Sequence, residues 1–392
     1  MYSFDKLTDR RNTLSYKWDV AEGELPMWVA DMDFEVPPPI KEAVIKRAEH
    51  GIFGYSATPC EFFEVISRYW ERRHGYKIPT EHMIYSSGVV AAISSIVRKL
   101  TTPAENVLIQ APVYNIFYNS ILNNGRNVLS SDLVYDGEEY TVDYADLEEK
   151  LSLPQTSLMI LCNPHNPVGK IWSREELAKI GELCKKHGVT VLSDEIHCDI
   201  TAPGEHYVPF ASVNDVCRDI SVTCIAASKT FNIAGFQSAC VYAGDPVLRH
   251  RVWRGINTDE VGEPNSFAMV ANIAAFTYCD GWVDEMRSYV FENKRIACDF
   301  INTNVTGAKA SYSSATYLLW IDISGITDDS VSFCEELRSI TGLYLSDGAE
   351  YGECGRKFVR MNLATQRERV LDGLRRFADG CAEIRKRRSA AI

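Results

Sequence analysis

Ser157-Leu158-Met159-Ile160-Leu161-Cys162-Asn163-Pro164-His165-Asn166-Pro167-Val168-Gly169 is an apolar run that ends in a polar, proline-rich turn. Ser157 to Cys162 reads as a short strand without polar–apolar alternation. Such a run marks a strand buried on both faces. Ser173-Arg174-Glu175-Glu176 follows. A Ser with a Glu three residues later is a helix-start signature, because each side chain can satisfy a free backbone N–H of the other. The helix is predicted to run to about His187 and to stop at Gly188. Val189 to Ser193 is the next buried strand, and Asp194-Glu195-Ile196-His197 follows it. Ile220 to Ala226 is another, ending in Ala227-Ser228-Lys229-Thr230. Strand, polar turn, helix and strand in this order predict an α/β fold with a largely parallel sheet covered on both faces.

The pattern extends in both directions. Upstream, Ile40 to His50 and Phe62 to His74 read as amphipathic helices. Ser86-Ser87-Gly88 leads into a helix over Val89 to Leu100, and Asn106 to Gln110 is a buried strand ending before Pro112. Downstream, Ser238 to Ala243 is a further strand. Near residue 279 the alternation gives way. One long helix is predicted over Trp282 to Asn302. Strands at Tyr317–Asp322 and Phe358–Leu363 follow, with helices over Ser330–Ser339 and from about Gln366 to Ile384. The expected division is an N-terminal arm over 1–45, a large α/β/α domain over 46–280 and a smaller α+β domain over 281–392. The arm carries Pro26, Pro37, Pro38 and Pro39 and the aromatic-rich Met27 to Phe34 segment, so it is expected to pack rather than trail.

Composition narrows the function classes. The chain has 392 residues and a formal charge of −12, which disfavours general nucleic-acid binding. A local pocket for a small anion is still allowed. Twelve cysteines occur with no CxxC pair, and many lie in apolar runs. That argues against zinc ribbons and disulfide scaffolds, and no metal is expected. No apolar run has the roughly 18–20 residues that span a membrane. The N-terminus lacks a signal-peptide pattern, so a cytoplasmic protein is expected. The basic end Arg385-Lys386-Arg387-Arg388 matches a helix C-terminus in solvent.

Ligands of open α/β sheets bind beyond the carboxyl ends of the strands. The polar groups there are Ser87-Gly88, Asn163 to Gly169, Asp194 to His197 and Ser228-Lys229. Their types suit one task. An Asp can pair with a cationic ring nitrogen, and an Asn can bond a phenolate-like oxygen. A Lys can form a Schiff base with an aldehyde. A Ser-Gly turn opening a helix offers N–H groups to a phosphate. Taken singly, Asn166 shapes a turn, Asp194 caps a helix and Lys229 is a surface lysine. Taken together, in order and on alternating elements, they describe a pyridoxal 5'-phosphate pocket.

Asn166-Pro167-Val168-Gly169, Asp194, Ser228-Lys229 and Phe358-Val359-Arg360-Met361-Asn362 resemble the fold-type I pyridoxal phosphate enzymes of the aspartate aminotransferase superfamily (class I/II). Finer features resemble the MalY/PatB group of cystathionine β-lyases, or carbon–sulfur lyases. These are Ser15-Tyr16-Lys17-Trp18-Asp19, Met27 to Phe34, Phe53-Gly54-Tyr55, Ala111-Pro112-Val113-Tyr114, Asp194 to His197 and Ser228 to Gly235. The resemblance implies the following roles. Lys229 is the catalytic residue, holding the cofactor and moving the Cα proton. Asp194 pairs with the ring nitrogen, Asn166 bonds the ring 3-oxygen and Tyr114 stacks on the ring. Gly88, Val89, Val90 and Ser228 hold the phosphate, and Tyr55 reaches the phosphate of a neighbouring subunit in a homodimer. Arg360 clamps the substrate carboxylate, with Ala30, Asn166 and Tyr114 close to the substrate. His197 stands where many aminotransferases have a tyrosine near the 3-oxygen. Gln237 stands where many have an arginine against the phosphate, and Asn12 replaces an expected glycine in the arm.

The implied reaction is β-elimination on L-cystathionine or a related S-substituted L-cysteine. It yields a thiol, pyruvate and ammonia. An aminotransferase on the same scaffold, or a regulatory protein that retains the cofactor site, is the alternative at this stage.

Overall fold

The computed structural model describes residues 2–390. The apolar runs become the strands Thr156–Cys162, Thr190–Asp194 and Ser221–Ile225 at the centre of a seven-stranded sheet. Across the sheet the order is Met83–Ser86, Ala239–Ala243, Ser221–Ile225, Thr190–Asp194, Thr156–Cys162, Asn106–Ile109 and Asn127–Ser130. All pairings are parallel except those of Ala239–Ala243, which runs against both neighbours. The register sets Cys162 opposite Asp194, and Asp194 opposite Cys224. The polar turns that follow these strands therefore emerge side by side. The reversed strand begins at the same rim, so Gln237 and Ser238 join it by topology.

The helix-start signature forms as the sequence predicts. Ser173 Oγ accepts from the Glu176 N–H at 3.1 Å, and Glu176 Oε2 accepts from the Ser173 N–H at 2.8 Å. The helix Arg174–Lys186 then covers one face with Leu177, Ile180 and Leu183. Val89–Leu100 covers the opposite face through Ala92, Ile93, Ile96 and Val97. Among the helices not anticipated from the sequence, the two longest are Pro246–Thr258 and Ser266–Tyr278. The second is apolar nearly all round. It packs between Pro38–His50 and Cys60–His74, so amphipathic periodicity carried no signal there.

A second sheet of four antiparallel strands has the order Lys309–Ala310, Leu318–Asp322, Phe358–Asn362 and Ser346–Asp347. The helices Asp280–Asn304, Ser330–Thr341 and Arg367–Ala390 close its core around Ile301, Leu319, Phe333, Val359 and Phe377. The second strand begins one residue later than the sequence reading, at Leu318. Among the described residues no helix is long and apolar enough to cross a membrane.

The N-terminal arm packs on its own chain, with Trp18, Met27, Met32 and Phe34 buried. Leu25–Pro26 pairs in parallel with Leu343–Tyr344. Asn12 adopts φ +57, a left-handed conformation that Asn tolerates better than most residues. The knot of the arm is Asp33. Its carboxylate accepts from Lys17 Nζ at 3.0 Å, Trp18 Nε1 at 2.8 Å and Arg10 Nη1 at 2.8 Å. Burial alone raises its pKa, but Lys17, the indole N–H and Arg10 overrule burial and hold it at about 2. The lowered value means that this stabilisation is full above the ordinary carboxylate range and is lost as pH falls toward 2. Asp33→Ala leaves Lys17 buried without its nearest counter-charge. We expect it to destabilise the fold by about 3 kcal/mol in urea titrations. A change under about 0.5 kcal/mol, the range of ordinary surface substitutions, contradicts the assignment.

Candidate active site

A cavity of about 280 Å³ opens at the rim where the strand ends meet. Asp194 ends its strand, and Ser228 and Lys229 lie in the short helix Ala227–Thr230 just beyond Ser221–Ile225. Asn166 comes from the turn after Thr156–Cys162, and Gly88 caps the helix Val89–Leu100. Tyr114, Val89, Val90, His197 and Ala30 complete the walls among the residues singled out from the sequence. Gly88 sits at φ +135, which a side chain rarely adopts. The backbone at this helix start thus faces the cavity unshielded, as anion binding at a helix N-terminus requires.

Two sequence-singled residues lie apart from this wall. Arg360 stands behind it on the strand Phe358–Asn362, and its Nη1 donates to Asn166 Oδ1 at 3.3 Å. Arg360 Nη2 donates to the Trp28 carbonyl at 2.8 Å, and the guanidinium lies over the Tyr351 ring at 4.9 Å. Its Nε is buried without a partner. Tyr55 belongs to an exposed segment and is itself fully exposed, with Phe53 and Ile52 beside it also open. Residues from Trp253 to Asn257 line a separate cavity with Met83 and Tyr85, away from these groups.

The electrostatics follow from burial. Asp194 is buried and accepts the Ile196 N–H at 3.1 Å. Burial pushes its pKa up to about 7, against the pull of that N–H and of Lys229. A buried carboxylate held there calls for a cationic partner. Burial lowers Lys229 to about 8; Asp31 and Asp194 oppose the shift, and Arg360 adds to it. Burial and the charges of Lys229, Arg360 and Lys294 bring His197 down to about 3, so its ring is neutral near pH 7. Its Nδ1 has no partner. Tyr114 rises to about 12, chiefly by burial, and stays a phenol. A lone carboxylate, a depressed lysine, open N–H groups and unpaired nitrogens on His197 and Arg360 fit the ring nitrogen, aldehyde, phosphate and oxygen substituents of pyridoxal phosphate.

Several participants were missed from the sequence. Tyr317 donates its hydroxyl to the Ala30 carbonyl at 2.9 Å, and Lys229 Nζ donates to the same oxygen at 2.7 Å. Asn232 fixes the arm above Lys229. Its Nδ2 donates to the carbonyls of Met32 and Phe34, and its Oδ1 accepts from the Met32 N–H. Asp199 accepts from Thr230 Oγ1 at 3.0 Å and thereby braces the Lys229 turn from behind. His74, Cys198 and Asp199 bring ligand-type atoms within 4.8 Å of one another. Arg73 and Arg287 line the same recess, and His74 Nε2 stands 3.1 Å from Asp199 Oδ1. That surrounding favours an ionic brace over a cation site. Asn232 lies inside the Ser228 to Gly235 motif, but neither Tyr317 nor Asp199 has a sequence signal beyond its residue type.

Residues 25–377 match the aminotransferase class I and II family, and the chain belongs to it. It is 41% identical over 382 residues to the cystathionine β-lyase PatB of Bacillus subtilis, covering 96% of this chain and 98% of that protein. Among solved structures, the pyridoxal 5'-phosphate-containing cystalysin of Treponema denticola superposes with a TM-score of 0.94 at 30% identity, covering 98% of this chain and 99% of that one. The pyridoxal phosphate-bound C-S lyase of Staphylococcus hominis superposes at 0.91 with 30% identity, covering 97% and 99%.

Proposed function

We propose that the chain is a pyridoxal phosphate-dependent C–S lyase. Its substrates are L-cystathionine or related S-substituted L-cysteines. The observation that carries the reading is the meeting of Lys229, Asp194 and Asn166 at one cavity, with the Arg360 guanidinium hydrogen-bonded to Asn166 from behind it. The lyases among its relatives support the same class.

Pyridoxal phosphate, when bound, takes up the electron pair left at Cα. The protein's residues do the rest. Asp194 would face the ring nitrogen and keep it protonated. Asn166 and His197 would meet the 3-oxygen side, and Tyr114 would lie against the ring. Gly88, Val89, Val90 and Ser228 would take the phosphate. Arg360 and the arm at Ala30 receive the substrate carboxylate, the arginine as a planar fork. Lys229 draws the proton from Cα. Its pKa near 8 leaves a share of neutral amine at physiological pH. The C–S bond then breaks with its electron pair on sulfur, and the thiolate leaves. With water taken up, cystathionine gives homocysteine, pyruvate and ammonia, so atoms balance.

The reading treats the protein as a cytoplasmic homodimer in which Tyr55 completes the neighbour's phosphate site. The exposed run around Ile52, Phe53 and Tyr55 supports this. It also keeps the division into an arm over 1–45, a cofactor domain over 46–280 and a small domain over 281–392. Incubation with L-cystathionine tests the activity. The lyase is expected to release pyruvate and thiol steadily with no keto acid added. An aminotransferase would stall without an acceptor, and absence of both products refutes the lyase.

A further inference from the structure

We infer that Tyr317 is a positioning residue for Lys229, acting through the carbonyl oxygen of Ala30. The inference rests on the lyase reading above, in which Lys229 must work as a free amine once the substrate has displaced it.

The Ala30 oxygen receives two donors, Lys229 Nζ at 2.7 Å and Tyr317 Oη at 2.9 Å. A carbonyl has two lone pairs, so both are engaged. This oxygen is the polar partner found for the Lys229 amine, and it belongs to the arm rather than to the sheet that carries the lysine. Its direction is fixed from both sides. Asn362 Nδ2 donates to the carbonyls of Val29 and Asp31, each at 2.6 Å, and Asn232 holds Met32. Tyr317 supplies the remaining restraint on the Ala30 peptide itself.

Tyr317 is itself held firmly. It is fully buried, and its backbone carbonyl accepts from the Leu363 N–H at 2.9 Å. The preceding turn is gathered by Lys294, a fully buried lysine. It donates to Ser313 Oγ and to the carbonyls of Ser313, Ala315 and Thr316 at 2.8–3.1 Å. Thr316 sits at φ +61, a conformation this cage maintains. The Tyr317 ring meets the His197 ring edge-on at 6.1 Å. One side chain thus links the second sheet, the arm and the cofactor rim.

The consequence is a defined resting place and a tuned proton affinity for the amine. A carbonyl that also accepts from a phenol stabilises an ammonium less than one that accepts from the ammonium alone. Removing the phenol hydroxyl is therefore expected to favour the charged lysine and to let the Ala30 peptide turn. The other charged and titratable groups around the amine are Asp31 from the arm, Asp194 and His197 from the strand end, and Arg360 from the second sheet. None of them is altered by Tyr317→Phe, which keeps the ring and its packing.

The test uses full-length protein stripped of cofactor. Capture of added pyridoxal 5'-phosphate is followed by absorbance across a pH series. In capture the neutral Lys229 amine adds to the aldehyde carbon and water leaves. In Tyr317→Phe the midpoint of the rate–pH curve is expected to rise by roughly 0.5 units. In the loaded enzyme kcat should fall about fivefold, with KM for cystathionine little changed. An unmoved midpoint overturns the inference, even if the variant melts earlier, because a purely structural role would lower stability and cofactor affinity without moving it. If both proteins capture the cofactor but neither releases pyruvate and thiol from cystathionine, the lyase reading fails instead, so the two failures are distinguishable.

Discussion

Lys229→Ala is expected to lower pyruvate release from cystathionine by about 10³-fold or more. It should also abolish the visible absorbance of lysine-bound cofactor in the purified protein. The size of the effect follows from what else stands in the cavity. A substitute base near neutral pH needs a pKa close to 7 and access to Cα. His197 is held at about 3 and is a poor proton acceptor there. Tyr114 is raised to about 12 and holds its proton. Asp194 lies near 7, but in the proposed site it faces the ring nitrogen and its charge is engaged there. No other amine lines the cavity among the described residues. The loss should thus be close to complete, whereas the groups proposed to take the phosphate, at Gly88, Val89 and Ser228, should still allow the cofactor to bind without a covalent link. Equilibrium dialysis separates the two effects: retained, weaker cofactor with no turnover is the expected outcome. Turnover within tenfold of wild type refutes the role of Lys229.

The rim was legible in the sequence because these buried parallel strands carry no charged position until they end. Asp194, Lys229 and Asn166 stand at or just after the ends of apolar runs, and the order of elements alone brings them to one edge. The register adds what sequence spacing cannot, setting Cys162, Asp194 and Cys224 level. Ala239–Ala243 reads as a strand, but its direction depends on which neighbour it meets, so the pattern of elements did not bring Ser238 to the rim, and Gln237 was placed there by resemblance alone. Tyr317 was hidden differently. It precedes an apolar strand and looks like core. Its function lies in a hydroxyl aimed at a carbonyl 287 residues away in the chain. Lys294 was hidden inside a long helix, where a lysine ordinarily points to water. Its burial depends on a turn of the second sheet that supplies carbonyls. In each case a polar atom pairs with backbone from a distant element, and backbone carbonyls carry no sequence identity.

Asp194→Asn separates electrostatics from shape. Asparagine fills nearly the same volume, and its Oδ1 can still accept the Ile196 N–H. It cannot carry the negative charge that keeps a ring nitrogen protonated. Turnover is expected to fall about 10²- to 10³-fold, while Lys229 still captures the cofactor. The pH dependence of cofactor affinity gives a second, sharper readout. In the wild type, burial holds Asp194 near 7, so lowering the pH protonates it and removes the counter-charge that the ring nitrogen meets. A cationic ring bound beside it pulls its pKa down, which by linkage means that affinity weakens as pH falls below about 7. The free cofactor's own phosphate and ring titrate in the same range, and they do so equally whichever protein is present. The difference between wild type and Asp194→Asn isolates this one carboxylate. The wild-type curve should lie well above the variant's at pH 8 and converge on it toward pH 5. Parallel curves across that range would mean that Asp194 does not meet the ring, and the assignment of the strand end to the cofactor nitrogen would fall with it.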